Sequence, residues 1–327
     1  MLAFTKDLYF QPEYISLYRG SSGEVFSFEY QSGDRHFGTR SLKRPIPEIE
    51  NPSMMSPYFD LETAYGFGGF VTNTDNKEFI AEAFAKYQQA CRAENIVAEF
   101  VRFHPLNSFP IHQSEFLSFA AKERQTVYLD LTLSKEDQWA LYGQNTRNLL
   151  RRCEATLTFN VESDLGRFME LYEQTMDRNR AGEFYYFDEA YFKKFLGLPG
   201  VELWSVYHES KPISMGFFIF GEQIAYYHLS GNSPEALKLN ANYYLLEKMR
   251  ERAKNLSKQV LFLGGGRTSS PEDSLYRFKS KFSPLRWDFY IGGVVHNQEA
   301  YDSLLRVFHQ KHPEKAQAKI FLKYRMQ

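Results

Sequence analysis

The chain has 327 residues, a length that favours two domains over one. Its composition is that of a globular protein, with 43% hydrophobic and 24% charged residues, and no apolar run reaches the length of a membrane span. The formal net charge of −1 gives no overall basic field, which argues against DNA as a partner.

The amino terminus has no signal-peptide pattern, because charged residues interrupt it early. Cys91 and Cys153 lack metal or redox spacing, so we expect reduced, structural thiols. Together these features predict a cytoplasmic protein. The eight histidines are scattered without ligand spacing, so no metal is expected.

The first half of the chain predicts a hairpin and then an alternation of helix and strand. The hairpin strands are residues 24–30 and 36–42, and a loop follows at residues 54–58. A helix is expected over residues 76–94, with an apolar face of Phe79, Ala83, Phe84, Tyr87 and Cys91. Beyond it the pattern predicts a strand at 96–103, a short helix at 112–119 and a strand at 127–131.

The second half predicts the order β-α-α-β-β-β-α-β-α-β. The predicted segments are 155–161, 165–176, 188–195, 201–207, 213–220, 224–230, 240–253, 259–263, 272–282 and 285–291. The first half repeats the later part of this order in a weaker form, which indicates two copies of one α/β unit. The domains are therefore expected at 1–140 plus a lysine-bearing helix at 298–327, and at 141–297, each with a mixed sheet.

Three glycines stand where a buried strand meets a helix. Gly264, Gly265 and Gly266 follow residues 259–262, and a helix beginning near Pro271 carries Lys279. Glycines let a ligand approach the main chain, and a nearby lysine can stabilise negative charge that develops in a reaction. The alternatives are a plain strand-to-helix turn and a surface lysine.

Several segments together carry a resemblance to a known family. They are residues 225–232, 240–247, 263–266 and 278–279 in the second half, and residues 65–69 and 99–105 in the first. The chain resembles the Fem family, which includes the aminoacyl transferases that build peptidoglycan cross-bridges, and especially its polysaccharide-associated acyltransferase-like branch. The resemblance covers almost the whole chain and implies two tandem GNAT-like acyltransferase domains.

The resemblance also implies roles for particular residues. Phe278 and Lys279 match a Phe-Lys pair at the reaction centre, where the lysine stabilises the oxyanion. Arg178 or Arg180, with Tyr186, match an Arg and a Tyr that contact the acceptor's phosphates, although a solvated helix end explains them equally well.

Further candidates line the expected substrate sites. In the first domain they are Tyr65, Arg102 and His104, and in the second they are Tyr227, His228, Ser230, Asn232, Arg267 and Lys281. His228 is a candidate general base, since an unperturbed histidine titrates near neutral pH. Both histidines have a structural reading as hydrogen-bonded residues, which is the commoner case.

One departure concerns the donor. GNAT enzymes that use acyl-CoA carry a glycine-rich phosphate loop before the third helix, and residues 235–242 contain no glycine. Either acyl-CoA or aminoacyl-tRNA remains as donor. For tRNA the basic surface would be local, from Arg147, Arg151, Arg152, Lys281 and the carboxy-terminal lysines.

The resemblance therefore implies an N-acyltransferase whose acceptor is an amine of a cell-envelope precursor: a nucleotide- or lipid-linked amino sugar, or a muropeptide. The acceptor is expected in a cleft between the domains. The alternative is a non-catalytic binding module for such a precursor or for a partner enzyme. A weaker reading is peripheral membrane contact through residues 298–327, where Ile320, Phe321 and Leu322 interleave with cations.

Overall fold

The computed structural model describes residues 3–46 and 57–326, so the loop predicted at residues 54–58 lies largely outside the described residues. The strands are β1 (Glu24–Ser32), β2 (Arg35–Pro45), β3 (Phe59–Glu62), β4 (Val71–Thr72), β5 (Ile96–Arg102), β6 (Phe119–Asp130), β7 (Thr158–Glu162), β8 (Val201–His208), β9 (Lys211–Phe220), β10 (Ile224–Asn232), β11 (Val260–Gly264) and β12 (Arg286–Val295). The helices are α1 (Pro12–Ile15), α2 (Lys77–Ala93), α3 (Phe109–His112), α4 (Lys135–Ala140), α5 (Gln144–Thr156), α6 (Leu165–Asn179), α7 (Glu189–Leu196), α8 (Pro234–Leu239), α9 (Ala241–Asn255), α10 (Ser274–Lys279) and α11 (Gln298–Lys311).

The polypeptide forms two units. The first unit comprises Tyr9–Glu123 and residues 288–326, and the second unit comprises residues 3–8 and Arg124–Trp287. Each is a mixed α/β structure, as the sequence predicts.

In the first unit the strand order is β1-β2-β3-β5-β12, with β4 paired to β2. β3 and β5 run parallel, and α2 lies between them in the chain as the crossover helix. Asn76 caps α2 by accepting the N–H of Phe79 at 2.8 Å. The predicted apolar face of α2 is confirmed, since its members are all buried.

In the second unit the order is β6-β11-β10-β9-β8-β7. β10 and β11 are its parallel pair, and α8 and α9 connect them. One core cluster packs the sheet against α5 and α9, with Leu150, Phe218, Leu245 and Leu261 buried in it. Burial of such side chains contributes roughly 1.5–3 kcal/mol each, so this core fixes the strands that carry the site.

Each unit is completed by a strand from the other half of the chain. β6 follows β5 in sequence but pairs antiparallel with β11, and β12 follows β11 but pairs antiparallel with β5. The sequence predicts a division near residue 140, whereas residues 124–140 belong to the second unit and residues 288–297 to the first. Periodicity predicts a strand but not its partner, so this exchange is invisible to it.

The order of elements predicted for the second half is confirmed, with α8 as one additional short helix. α5 was not predicted. The helix predicted over residues 272–282 is shorter, because Asp273 caps it and it ends at Lys279. The helix predicted over 298–327 ends at Lys311, since Pro313 follows; short 3-10 turns take its place.

Both cysteines are free and buried, as predicted. Within residues 3–46 and 57–326 no helix is long and apolar enough to cross a membrane. Of the apolar residues near the carboxy terminus, Phe321 stacks near Tyr301 with ring centroids 5.4 Å apart and Leu322 is buried. Ile320 is exposed.

Candidate active site

The site begins where β10 and β11 separate. The parallel pairing covers three residue pairs, the last being Tyr226 with Phe262, although β10 continues to Asn232. Register shifts interrupt both strands just beyond that pair, between Tyr227 and Leu229 against β9 and after Phe262 against β6. Such bulges bend a strand and redirect its side chains. Beyond Tyr226 and Phe262, therefore, the residues at the ends of β10 and β11 do not pair with each other.

The Lys279 side chain extends from α10 to the point where β10 and β11 separate. Its Nζ donates to the carbonyl oxygen of Gly265 at 2.8 Å, at the end of β11, and lies 5.6 Å from the ring centroid of Tyr227 on β10. Only 7% of the Lys279 surface is exposed. Within the described part of the chain this Nζ donates a single hydrogen bond, so an ammonium there has N–H groups left for a substrate oxygen.

Burial lowers the pKa of Lys279 from 10.5 to about 7. The Asp273 carboxylate opposes this shift, and the Arg124 guanidinium adds to it. A lysine held this way can change protonation state near neutral pH, which is the range that acid–base chemistry requires.

The glycine loop leaves no room for side chains. A Cβ on Gly265 would lie 2.9 Å from Cδ of Arg124, and one on Gly266 would lie 2.5 Å from Oδ1 of Asp273. Gly264 has a φ of +76°, which favours glycine. The loop is therefore a close-fitting part of the site, and we favour a functional interpretation over a plain turn.

Arg124 is a site residue that sequence reasoning missed. It lies on β6 and donates to the carbonyl oxygen of Gly266 at 2.8 Å. Nothing near it in sequence marks it, because its position depends on the pairing of β6 with β11.

Tyr227 and Ser230 form a hydroxyl pair at the end of β10. Burial raises the pKa of Tyr227, so its phenol stays protonated at neutral pH. His228, between them in sequence, packs instead against Phe195 of α7 with ring centroids 4.8 Å apart, and burial lowers its pKa. An imidazole of lowered pKa is a weak base, and Tyr227 rather than His228 faces Lys279.

The end of α6 meets the glycine loop. Arg178 donates through both terminal nitrogens to the Asn232 carbonyl oxygen at 3.3 Å. Arg267 donates to Oδ1 of Asn179 at 3.2 Å and to the Ser274 hydroxyl at 3.1 Å. The structure thus brings together Arg178, Asn232 and Arg267, three of the predicted binding residues.

Arg180 and Tyr186 lie just beyond α6. Arg180 ends the helix in the left-handed conformation. The Tyr186 hydroxyl donates to Asp177 at 2.8 Å, and this bond raises the pKa of the exposed Tyr186. Both side chains are on the surface of the second unit.

Phe278 and Lys281 share one neighbour, Tyr243 of α9. The rings of Phe278 and Tyr243 meet edge to face at 4.8 Å, and the Lys281 Nζ donates to the Tyr243 hydroxyl at 2.7 Å. Lys281 is exposed and lies two residues beyond the end of α10, so a buried and an exposed lysine stand within three residues of each other.

The candidates in the first unit are engaged in local contacts. The Tyr65 carbonyl accepts the Tyr14 hydroxyl at 2.6 Å, and Arg102 donates to a Glu62 carboxylate oxygen at 2.6 Å. His104 is 1% exposed, its Nδ1 accepts the N–H of Leu106, and burial lowers its pKa to about 3. These contacts stabilise the first unit.

The segment that would hold a CoA pyrophosphate is a capped helix. Ser233 accepts the N–H of Ala236 at 3.0 Å, and Glu235 puts a negative charge in the first turn of α8. α8 runs directly into α9 at Asn240, which is left-handed and serves both helices as a cap. Where the sequence lacks the glycine loop, α8 therefore begins with a capping serine and an acidic first turn, whose negative charge disfavours a second anion there.

Among the described residues, no group of three or more His, Cys, Asp or Glu side chains could hold a metal ion.

Residues 142–280 match the family model described as an acetyltransferase (GNAT) domain. The second unit therefore contains an acyltransferase domain of the GNAT type, as predicted. No curated protein is significantly similar to the chain in sequence.

Solved structures extend the likeness to most of the chain. A crystal structure of FemX is 13% identical, with 89% of this chain and 92% of that chain covered and a TM-score of 0.69. The C-terminal domain (DUF2156) of a putative lysylphosphatidylglycerol synthetase from Agrobacterium fabrum is 16% identical, with 89% of each chain covered and a TM-score of 0.55. The L-PGS structure from Bacillus licheniformis is 14% identical, with 86% and 88% covered and a TM-score of 0.51. At these identities the likeness shows a shared fold, and the predicted resemblance to Fem-type proteins is confirmed at that level.

Proposed function

We propose that the chain is an N-acyltransferase that moves an acyl or aminoacyl group to an amine of a cell-envelope precursor. The acceptor classes are a nucleotide- or lipid-linked amino sugar and a muropeptide. The observation that carries the proposal is the buried Lys279 amine, held between the diverging ends of β10 and β11 with one protein acceptor. Support for the envelope context comes from the resemblance to the Fem family and from neighbours named for an aminoacyl lipid product.

The chemistry follows from this placement. The acceptor amine attacks the carbonyl carbon of the donor, a C–N bond forms, and the carbonyl oxygen becomes an oxyanion. The bond to the carrier then breaks and the amine loses its extra proton. The Lys279 ammonium donates to the oxyanion, and because it is shielded from water its effect is strong; single donors of this kind are typically worth ~10²–10³ in rate.

The donor is best explained as aminoacyl-tRNA. An acyl-CoA bound in the usual GNAT manner would place its pyrophosphate against the start of α8, where Ser233 already accepts the N–H of Ala236 and the negative charge of Glu235 would repel the phosphates. Arg267 at the glycine loop supplies a guanidinium fork suited to phosphate. Binding should therefore weaken steeply with added salt.

The first test is thermal stability against a donor panel of acetyl-CoA, longer acyl-CoAs, and charged and uncharged tRNA. A ligand that binds the native state raises the melting temperature with its occupancy. We expect a shift with charged tRNA, whereas a shift with an acyl-CoA alone would refute the assignment of the donor.

The second test separates an enzyme from a binding module. Lys279→Met should lose turnover and keep acceptor binding, and the exposed Lys193→Met is the matched control that should keep both. An acceptor that binds without turnover for any donor would favour the non-catalytic alternative, which the capped start of α8 also allows.

A further inference from the structure

Asp273 connects two parts of the site. Its side chain is 8% exposed, and its Oδ1 accepts the N–H groups of Leu275 at 2.9 Å and Tyr276 at 3.0 Å. Its Oδ2 accepts the N–H of Thr268 at 3.1 Å and the Thr268 hydroxyl at 3.3 Å. One carboxylate thus fixes the start of α10, which carries Lys279, and the loop that follows the glycines.

The same carboxylate sets the shape of the glycine loop. Asp273 fills the space that a Cβ on Gly266 would need. Held in this way, the loop turns the Gly265 carbonyl to Lys279 and the Gly266 carbonyl to Arg124. Two consecutive carbonyl groups therefore hold Lys279 and Arg124.

Among the residues that the structure describes, three titratable or charged groups face Lys279 from the elements around it. They are Asp273 before α10, Arg124 on β6 and Tyr227 on β10. Burial disfavours the ammonium form of Lys279, and so does the positive charge of Arg124. The Asp273 carboxylate favours the ammonium form of Lys279. Burial alone would raise the pKa of Asp273, but the backbone N–H groups that donate to its carboxylate lower this pKa and keep Asp273 ionised.

We propose that Asp273 is a positioning residue for the transfer proposed above: it shapes the glycine loop around Lys279 and keeps the Lys279 amine charged. The inference rests on the proposed function for its role in turnover. Its effect on Lys279 is physical and can be measured without turnover.

The experiment compares Asp273→Asn with Asp188→Asn. Asp188 caps α7 in a similar way, accepting the N–H of Tyr191 at 2.7 Å, and therefore controls for replacing a capping carboxylate by an uncharged amide. The Lys279 amine is titrated by competitive labelling with a fluoroarene across pH 5–11 and mass spectrometry of the modified peptide. Where a donor and acceptor give turnover, the pH profile of kcat/KM is measured on the same variants.

We expect Asp273→Asn to shift the Lys279 titration to lower pH, and Asp188→Asn to leave it unchanged. The alkaline limb of the activity profile should shift in the same direction, so the loss of activity is greater at pH 8 than at pH 6. An unchanged Lys279 titration in Asp273→Asn overturns the proposal, whatever happens to activity. Should Asp273→Asn not fold, Asp273→Ser keeps a capping oxygen without the charge and is read by the same criteria.

The outcomes separate the two proposals. If the titration shifts while Lys279→Met retains full turnover, the role of Lys279 in acyl transfer is refuted and the influence of Asp273 on Lys279 is upheld. If Lys279→Met is inactive but Asp273→Asn has a wild-type titration and profile, the proposed function stands and Asp273 is only a helix cap.

Discussion

Replacing Lys279 by methionine should stabilise the second unit while it removes turnover. Burial lowers the pKa of this lysine from 10.5 to about 7, and that difference corresponds to about 5 kcal/mol at 1.36 kcal/mol for each pH unit. Methionine has a similar length and carries no charge, but it loses the hydrogen bond to Gly265, worth about 1 kcal/mol. At pH 6 we therefore expect Lys279→Met to be more stable than the wild type by about 3–4 kcal/mol, to an order of magnitude.

The sign of the pH dependence follows from the same two values. The unfolded chain keeps the Lys279 proton up to about pH 10.5, whereas the folded chain releases it near pH 7. Between these values the unfolded state binds more protons, so the stability of the wild type rises with pH. The gap between the variant and the wild type is therefore largest below pH 7 and narrows towards pH 10.

Tryptophan fluorescence reports on this unit alone, because Trp139, Trp204 and Trp287 all belong to it. Urea unfolding at pH 6, 7.5 and 9 gives the free energy of unfolding of both proteins. The exposed Lys193→Met controls for loss of a lysine and should show no such dependence on pH. The interpretation of Lys279 as a destabilising buried cation would be refuted by either of two results. One is a variant less stable than the wild type at pH 6, and the other is a difference in the free energy of unfolding that stays constant up to pH 9.

Gly266→Ala should lower turnover at least tenfold without unfolding the second unit, because the new Cβ would lie 2.5 Å from Oδ1 of Asp273. Gly143→Ala is the control and should be neutral, because no atom lies within 4 Å of its new Cβ. Circular dichroism tests the folding of both variants, and steady-state kinetics tests their turnover. Burial raises the pKa of Glu99 to about 7, so the first unit of the wild type should lose about 3 kcal/mol of stability as the pH rises from 4.5 to 7. Glu99→Gln should abolish this pH dependence. Hydrogen exchange of α2 measures the stability, and a pH dependence that is unchanged in the variant contradicts the prediction. Arg178→Ala should raise the KM for a phosphorylated acceptor and spare the melting temperature, and an unchanged KM removes this residue from the acceptor site.

The central part of the site could be predicted because it is local in sequence. The glycines and Lys279 lie within sixteen residues of one another, and the strand-to-helix transition between them is visible in the periodicity. The pair formed by Tyr227 and Ser230 was also located, as the end of a strand. Arg124 could not be, because it reaches the loop only through the pairing of β6 with β11.

The two histidines show why residue type alone does not identify a base. His104 and His228 each lie in or next to a strand, and the sequence predicts His228 as a candidate general base and His104 as a substrate-site residue. In the structure burial lowers the pKa of each imidazole, which makes both weak bases near neutral pH. Whether a histidine is buried depends on tertiary packing, which the sequence pattern does not show.

Lys279 differs from these histidines in what its burial costs. A neutral imidazole can be buried at little expense, whereas a buried ammonium with one protein acceptor destabilises the fold. The Glu247–Arg250 pair in the same unit shows the usual remedy, since both partners are buried and the Arg250 guanidinium donates to both carboxylate oxygens of Glu247. Lys279 has no such bidentate partner; instead, its position between the diverging strands leaves donors for a group that arrives from outside. A buried cation that destabilises the fold, with no second protein partner to offset the cost, is expected at a site whose function is to stabilise a transient oxyanion.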